Sequence, residues 1–401
     1  MSALENIVVV GVSLAGLRTI EALRREGYEG AIVALGEEPH LPYDRPPLSK
    51  QFLTGEWDQE KISLRKQGFD DLGITWRRGE RAQALDAGAK EIVLESGERL
   101  GYGGLVIATG SVAKRLPFGR DLAGIHVLRS LGDAVALRDE LGRSPRVLVV
   151  GAGFIGMEAA ATCREMGLEV SVVEPLEAPL LRGLGPVLGP YVGEKHRSKG
   201  VELRCGVGVE GFEGQGRVER VRLAGGDSID ADVVIVGIGV APAIGWLEGS
   251  GLELDDGIVC DGAGGTKLPD IVAVGDAARW HNPLARGPVR YEHWTSAVEQ
   301  ADFVAARLLR GPDVPALSQV PYVWTDQFEL RLAVAGRISP GAEMHVCKGS
   351  LEEERCLVLF GREGRLEGAA GLRRPRPLLG ARKRIGEGIS FEEAIAENAD
   401  G

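Results

Sequence analysis

Along the chain, short apolar runs pass through a glycine turn into amphipathic stretches, a pattern that predicts strands feeding helices. Ile7–Val10 is an apolar run that ends at Gly11. Residues 14–26 then place Leu14, Leu17, Ile20 and Leu23 on one helical face. Ala31–Leu35 reads as a second buried strand, ending in Gly36-Glu37-Glu38. This is a strand–helix–strand unit with a short first turn. The pattern returns 140 residues later: strand Arg146–Val150, helix Phe154–Met166, strand Glu169–Val173, ending at Glu174. Two such units, well separated, predict two nucleotides in two related domains.

Gly73–Ile107 reads as short strands and turns that close on Leu105–Gly110. A similar run, Val233–Gly239, closes the second unit, and Ile271–Asp276 is a further apolar strand before Ala277-Ala278. From Pro312 to Pro321 the chain reads as a linker. Residues 322–401 carry strands at Arg331–Ala335 and Cys356–Gly361 and a helical end, which predicts a third, α+β domain.

Composition narrows the class. At 401 residues the chain is too long for one compact domain. Its 44% hydrophobic and 26% charged residues are ordinary for a soluble globular protein. The 58 glycines are dispersed, as many tight turns and close backbone approaches require. A formal net charge of -11 argues against nucleic acid as a partner. The longest apolar stretch, Val233 to Leu247, is broken by glycines and Pro242 and is shorter than the ~18–20 residues of a membrane span. No secretory segment opens the chain, so a cytoplasmic location and no membrane partner are expected. The five cysteines show no CxxC spacing and the six histidines no HxxxH pair. His345 and Cys347 share one side of a strand, but two ligands do not make a site, and no metal is expected.

The sharpest motif is Gly151-Ala152-Gly153-Phe154-Ile155-Gly156, between strand and helix, with Glu174 closing the next strand. The first glycine allows the tight turn, the second lets the backbone approach a pyrophosphate, and the third lets helix pack on strand. The helix N-terminus then offers unpaired N–H groups and a partial positive charge to the phosphates. A carboxylate at Glu174 can accept hydrogen bonds from an adenosine ribose and repels the 2′-phosphate of NADP, which favours NADH. Arg182 counts the other way, because an arginine nearby can accept that phosphate. The first unit reads Gly11-Val12-Ser13-Leu14-Ala15-Gly16, with serine where the second glycine is expected. Serine is small, and its hydroxyl can itself bond a phosphate oxygen.

Which nucleotide each unit holds comes from a resemblance. His40-Leu41-Pro42-Tyr43-Asp44-Arg45-Pro46-Pro47-Leu48-Ser49-Lys50 closely resembles the segment after the FAD unit in FAD-dependent NADH:ferredoxin reductases. These are the putidaredoxin reductase-like enzymes that serve Rieske dioxygenases and cytochromes P450. The likeness extends through Ala108-Thr109-Gly110, the unit at Gly151, Val274-Gly275-Asp276, Tyr291-Glu292-His293-Trp294 and Trp324-Thr325-Asp326-Gln327. It implies an α/β fold of two Rossmann-like domains, glutathione-reductase-like, plus a C-terminal α+β domain. The expected domains are FAD-binding over 1–111 and 240–316, NAD-binding over 112–239, and C-terminal over 317–401.

The resemblance also implies roles. Gly11, Ser13, Leu14, Ala15, Gly16 and Glu37 would hold the FAD pyrophosphate and ribose. Arg45 and Lys50 would lie near the flavin, where a cation stabilises the negative charge of the reduced ring. Ala82, Ala108, Thr109, Gly110, Arg129 and Gly275 are further FAD contacts; Asp276 would bond the ribityl chain and Trp294 would lie by the isoalloxazine. Gly151, Gly153, Phe154, Ile155, Gly156, Glu158, Glu174, Arg182 and Gly239 would form the NAD site, with Glu158 nearest the nicotinamide. Lys50, Glu158 and Trp294 are thus the residues placed at the chemistry. Read without the resemblance, Arg45 and Lys50 are surface cations, Glu158 a solvated charge and Asp276 a helix cap. Trp324 reads as a core residue, although the family places it near flavin and partner. The chain departs from the family after Pro242, where Ala243 stands in place of a common asparagine.

NADH would deliver hydride to the flavin, and the electrons would leave singly to a [2Fe–2S] ferredoxin. Cys163 is the first cysteine, so residues 36–55 hold none and a thiol relay beside the flavin is not expected. Arg373, Arg374, Arg376, Arg382, Lys383 and Arg384 form a basic run that either steers an acidic ferredoxin or is a solvated helix end. Alternative readings are a rubredoxin or monodehydroascorbate reductase, or an NADH-sensing flavoprotein of the apoptosis-inducing-factor type. The oligomeric state is left open.

Overall fold

The computed structural model describes residues 4–143, 145–285 and 287–399. The chain divides into two compact units. The first comprises Met1–Asp44, Ser63–Val112 and Ala241–Tyr322; the second comprises Arg45–Ile62, Ala113–Val240 and Val323–Gly401.

In the first unit a five-stranded parallel sheet runs in the order Ile271–Ala273, Gly104–Ile107, Asn6–Val10, Ala31–Gly36, Ile74–Arg78. Its central strand is buried from Ile7 to Val10, which is why that strand is an unbroken apolar run and not an alternating one. Helix Leu14–Arg25 buries Leu17, Ile20 and Leu23 of the expected face, while Leu14 at its first turn is half-buried. The strand expected over Ile271–Asp276 stops at Ala273. Gly275 takes a left-handed φ of 73°, and a Cβ there would lie 2.9 Å from the Ala15 Cβ. The chain therefore bends where it meets the start of helix Leu14–Arg25, and Asp276 sits in a short 3-10 turn.

The second unit repeats the scheme. Its parallel sheet runs Glu202–Cys205, Glu169–Glu174, Arg146–Val150, Val233–Val236, Ile125–His126. Helix Phe154–Glu165 is buried continuously from Gly156 to Cys163, because its side chains are mostly small and another layer covers its outer side. That layer is a five-stranded sheet ordered Tyr322–Gln327, Leu330–Gly336, Arg365–Leu372, Arg355–Arg362, Glu343–Ser350. Leu330, Leu332, Val358 and Phe360 of this sheet share one apolar core with Val147, Val149 and Met157. Helices Pro375–Glu387 and Phe391–Asn398 complete the unit. Among the described residues no helix is long and apolar enough to cross a membrane.

Candidate functional site: two dinucleotide cradles and a buried carboxylate

The two glycine turns are built alike. A Cβ on Gly11 would lie 2.2 Å from the Ala108 carbonyl oxygen, and one on Gly151 2.5 Å from that of Gly237. Both residues also have φ above 90°, so each first glycine is required twice over. A Cβ on Gly16 would meet the Gly11 oxygen at 2.0 Å, and one on Gly156 the Gly151 oxygen at 2.1 Å. The middle position differs in kind. Gly153 has φ −77° and ψ −177°, an extended backbone open to any residue, and nothing lies within 4 Å of its Cβ position. Ser13 takes the same extended conformation at the start of its helix. Each turn thus leaves open space above the N-terminus of a helix, the shape and polarity a pyrophosphate needs. The residues present fit two dinucleotides.

Around the first turn, Glu37 is exposed, with Arg81 at 3.6 Å and Ala82 next in the chain. Thr109 Oγ1 donates to the Ala243 carbonyl at 2.8 Å, and the Ala243 N–H donates to the Gly110 carbonyl at 2.9 Å. At the position where the family's common asparagine is missing, these bonds are made by the Ala243 main chain. Ser111 Oγ donates to Asp276 Oδ2 at 2.7 Å. Val274, not Asp276, caps the short turn, so the helix-cap reading of Asp276 is set aside. Trp294 opens the long helix and donates from Nε1 to Asp44 Oδ1 at 2.8 Å.

In the second unit Glu174 is buried. Its Oε2 accepts the Ala152 N–H at 2.7 Å and its Oε1 the Leu176 N–H at 3.0 Å, so the acid also ties the glycine turn to its strand. Arg182 is exposed. Gly239 has φ 93° and open space at its Cβ position, and its carbonyl accepts the Lys114 N–H. Phe154 packs against Gly183, where a Cβ would come within 2.6 Å of the ring, and Ile155 is 45% exposed beside it. Arg45 donates to the Arg129 carbonyl at 2.6 Å, joining two candidate FAD residues.

Glu158 overturns the reading of a solvated charge: it is only 3% exposed. Its Oε2 accepts Ser49 Oγ at 2.6 Å and Lys50 Nζ at 2.9 Å, and its Oε1 accepts Thr325 Oγ1 at 2.8 Å. Lys50, 13% exposed in its side chain, is likewise no ordinary surface cation. A buried ion pair with two further donors satisfies the rule that buried charges are paired and hydrogen-bonded. Sequence reasoning missed Ser49 and Thr325. Both lie inside the quoted motifs, and strand alternation puts Thr325 and Gln327 on one face, so a signal was there. Trp324, on the other face, is half-buried.

Behind Thr325 the polar chain continues. Gln327 Nε2 donates to Thr325 Oγ1 at 2.9 Å, and His196 Nε2 lies 2.8 Å from Gln327 Oε1. Burial pushes the His196 pKa down to about 4, only partly offset by the Gln327 bond. The folded state therefore refuses a proton that the unfolded chain takes near pH 6.5. Stability should be intact above that pH and fall by about 3 kcal/mol as pH drops toward 4. Guanidinium chloride unfolding across that range checks this; a His196→Leu variant should lose most of the slope.

At least three of the six cations of the basic run are paired in place. Arg373 lies 3.8 Å from Glu354, Lys383 3.7 Å from Glu387, and Arg384 pairs with Glu387 at 2.7 Å and with Glu397. The field of this helix end is smaller than six cations imply.

All five cysteines are free thiols, and four of them are buried. Burial pushes the Cys163 thiol up to about 12 and Cys356 up to about 11, and raises Cys205 and Cys260. Thiols held protonated in this way are poor nucleophiles.

Two parallel sheets, each with a glycine turn and helix N-terminus at its central strand, define a two-dinucleotide oxidoreductase. Residues 5–301 match the pyridine nucleotide-disulphide oxidoreductase family, and residues 322–400 match the reductase C-terminal domain. The chain belongs to that family, and it is an oxidoreductase working with FAD and NAD(H). It is 38% identical to rhodocoxin reductase of Rhodococcus erythropolis, over 98% of this chain and 92% of that protein. It is 36% identical to the ferredoxin–NAD(+) reductase subunit of the benzene 1,2-dioxygenase system of Pseudomonas putida, over 98% of this chain and 95% of that one. The crystal structure of a covalent putidaredoxin reductase–putidaredoxin complex superposes with a TM-score of 0.92 at 31% identity, covering 98% of this chain and 99% of that one. The fold class expected from the two strand–helix–strand units agrees with this match.

Proposed function

We propose that this chain is an NADH-dependent ferredoxin reductase that supplies electrons to an oxygenase or cytochrome P450 through a [2Fe–2S] ferredoxin in the cytoplasm. The observation that carries the reading is the pairing of two dinucleotide cradles with cysteines that are free thiols, four of them buried. A thiol relay is thereby unsupported, and the relatives' names and the putidaredoxin complex favour an iron–sulfur acceptor. The chemistry that bound FAD supplies is acceptance of hydride from NADH followed by release of electrons one at a time.

The residues divide the remaining work. The N–H groups of Leu14, Ala15 and Gly16, with Ser13, bind the FAD pyrophosphate; Glu37 takes the ribose and Asp276, fixed by Ser111, the ribityl chain. Arg45, Arg129 and Lys50 face the flavin, where Lys50 balances the charge of the reduced ring. Trp294, anchored on Asp44, excludes water from it. The N–H groups of Phe154, Ile155 and Gly156 bind the NAD pyrophosphate. Glu174 has lone pairs left beyond its two backbone bonds for the adenosine ribose. Glu158 orients Lys50 and borders the nicotinamide.

Stopped-flow mixing with NADH should bleach the flavin within the enzyme's turnover time, and a [2Fe–2S] ferredoxin should reoxidise it. Flavin reduced too slowly to support turnover would favour the sensor reading instead. Glu174 predicts NADH over NADPH by about tenfold to a hundredfold in kcat/KM; comparable values would refute that part alone.

A further inference from the structure

The hydrogen bonds running from Glu158 into the C-terminal sheet have a forced direction. A carboxylate only accepts, so the Thr325 hydroxyl must donate to it. With its proton committed, Thr325 Oγ1 can only accept from Gln327 Nε2. The Gln327 amide is then fixed with its oxygen toward His196, which must carry its proton on Nε2. His196 has 0% exposure, and Thr325 and Gln327 are 1% exposed or less, so water does not reach these groups to compete. The other ring nitrogen, Nδ1, is buried without a partner among the described residues. The histidine's single hydrogen bond is therefore spent on Gln327. Phe328, edge-on to the imidazole at 4.9 Å between ring centroids, holds the ring in that plane.

We infer that His196 is a positioning residue for Glu158, acting through Gln327 and Thr325. It locks the Thr325 hydroxyl onto Oε1, which leaves Oε2 for Ser49 and Lys50. Without the imidazole N–H the Gln327 amide is free to turn over. Thr325 then has a competing acceptor in Gln327 Oε1, and Glu158 loses one of its three donors. A helix residue, one strand face and a buried carboxylate on another helix thus form one polar unit, which couples the C-terminal sheet to the candidate nicotinamide-side acid. This inference rests on the proposed placement of Glu158 and Lys50 at the redox chemistry.

In the holoenzyme, His196→Leu should slow flavin reduction by NADH about tenfold at unchanged KM, the scale of one lost hydrogen bond to a charged group. His196→Gln, which keeps an N–H near the Nε2 position, should recover most of the rate. Thr325→Val should reproduce the defect, and the double variant His196→Leu/Thr325→Val should be no slower than either single one. The unfolding free energies of the same set should be sub-additive, a readout that needs no turnover. A defect confined to KM, a His196→Gln enzyme as slow as His196→Leu, or defects that multiply in the double variant overturn the inference. If NADH does not reduce the wild-type flavin, the proposed function fails and the unfolding cycle alone decides. Additive stability losses then overturn the polar unit; sub-additive losses uphold it.

Discussion

Replacing Lys50 by methionine should cost about 3–5 kcal/mol of folding stability and slow flavin reduction by about two orders of magnitude. The stability cost comes from what remains. Methionine fills the volume of the lysine stem but removes the charge facing Glu158, whose carboxylate is 4% exposed in its side chain and keeps only two hydroxyl donors. An uncompensated buried charge is far more costly than a removed pair. The second substitution, Glu158→Leu, should therefore return most of the lost stability. Ser49 Oγ already lies 3.4 Å from the Pro46 carbonyl and can turn fully onto it. Thr325 keeps the bond it accepts from Gln327 but loses its acceptor, which holds back about 1 kcal/mol. Activity should not return with stability, because the proposed cation beside the flavin is still missing. Denaturant unfolding and stopped-flow reduction on the two single variants and the double variant separate the effects. A double variant that stays as unstable as Lys50→Met would show that the pair is held by something other than its own charges.

This pocket marks the border of what was legible in the chain. Strand–turn–helix units announce themselves through local periodicity, so helices Leu14–Arg25 and Phe154–Glu165 end within one residue of where the pattern puts them. The burial of Glu158 was partly legible too. It stands in the run Met157–Cys163, whose small and apolar residues leave no polar face to be solvated. The partners were not. Ser49, Lys50, Glu158, His196, Thr325 and Gln327 meet only through tertiary packing, and His196 stands in a helix segment, Glu194–Ser198, that otherwise reads as solvated. The basic run shows the same split. Glu387 lies three and four residues from Arg384 and Lys383 and could have been paired with them by helical spacing. Glu354 and Glu397 reach Arg373 and Arg384 from separate elements, and no local rule points to them.

Two of the three glycines of the second cradle, Gly153 and Gly156, should fail in opposite ways, and that contrast tests whether the turn is shaped by the protein or for a ligand. Gly156→Ala places a methyl group 2.1 Å from the Gly151 carbonyl oxygen and 3.3 Å from Val149 Cγ1. The oxygen is backbone and cannot turn aside, so helix Phe154–Glu165 must shift off its strand. A loss of about 4 kcal/mol or more is expected, with poor expression as its first sign. Gly153→Ala meets no protein atom within 4 Å and needs no left-handed backbone, since φ is −77°. Its stability should stay within about 0.5 kcal/mol of the parent. The methyl group nevertheless stands in the space above the helix N-terminus that a pyrophosphate must enter. The KM for NADH should rise about tenfold to a hundredfold. Flavin content should be unchanged, because the proposed FAD turn at Gly11–Gly16 lies in the other unit. Serine at the matching position of that turn shows that the backbone itself tolerates a side chain there, and its hydroxyl can donate to a phosphate oxygen, which an alanine methyl group cannot. Unfolding curves, bound flavin per chain and NADH titrations on the two variants give all the readouts. If Gly153→Ala bound NADH like the parent, the open space above Gly153 would not be the pyrophosphate site, and the nucleotide would have to enter the second sheet elsewhere.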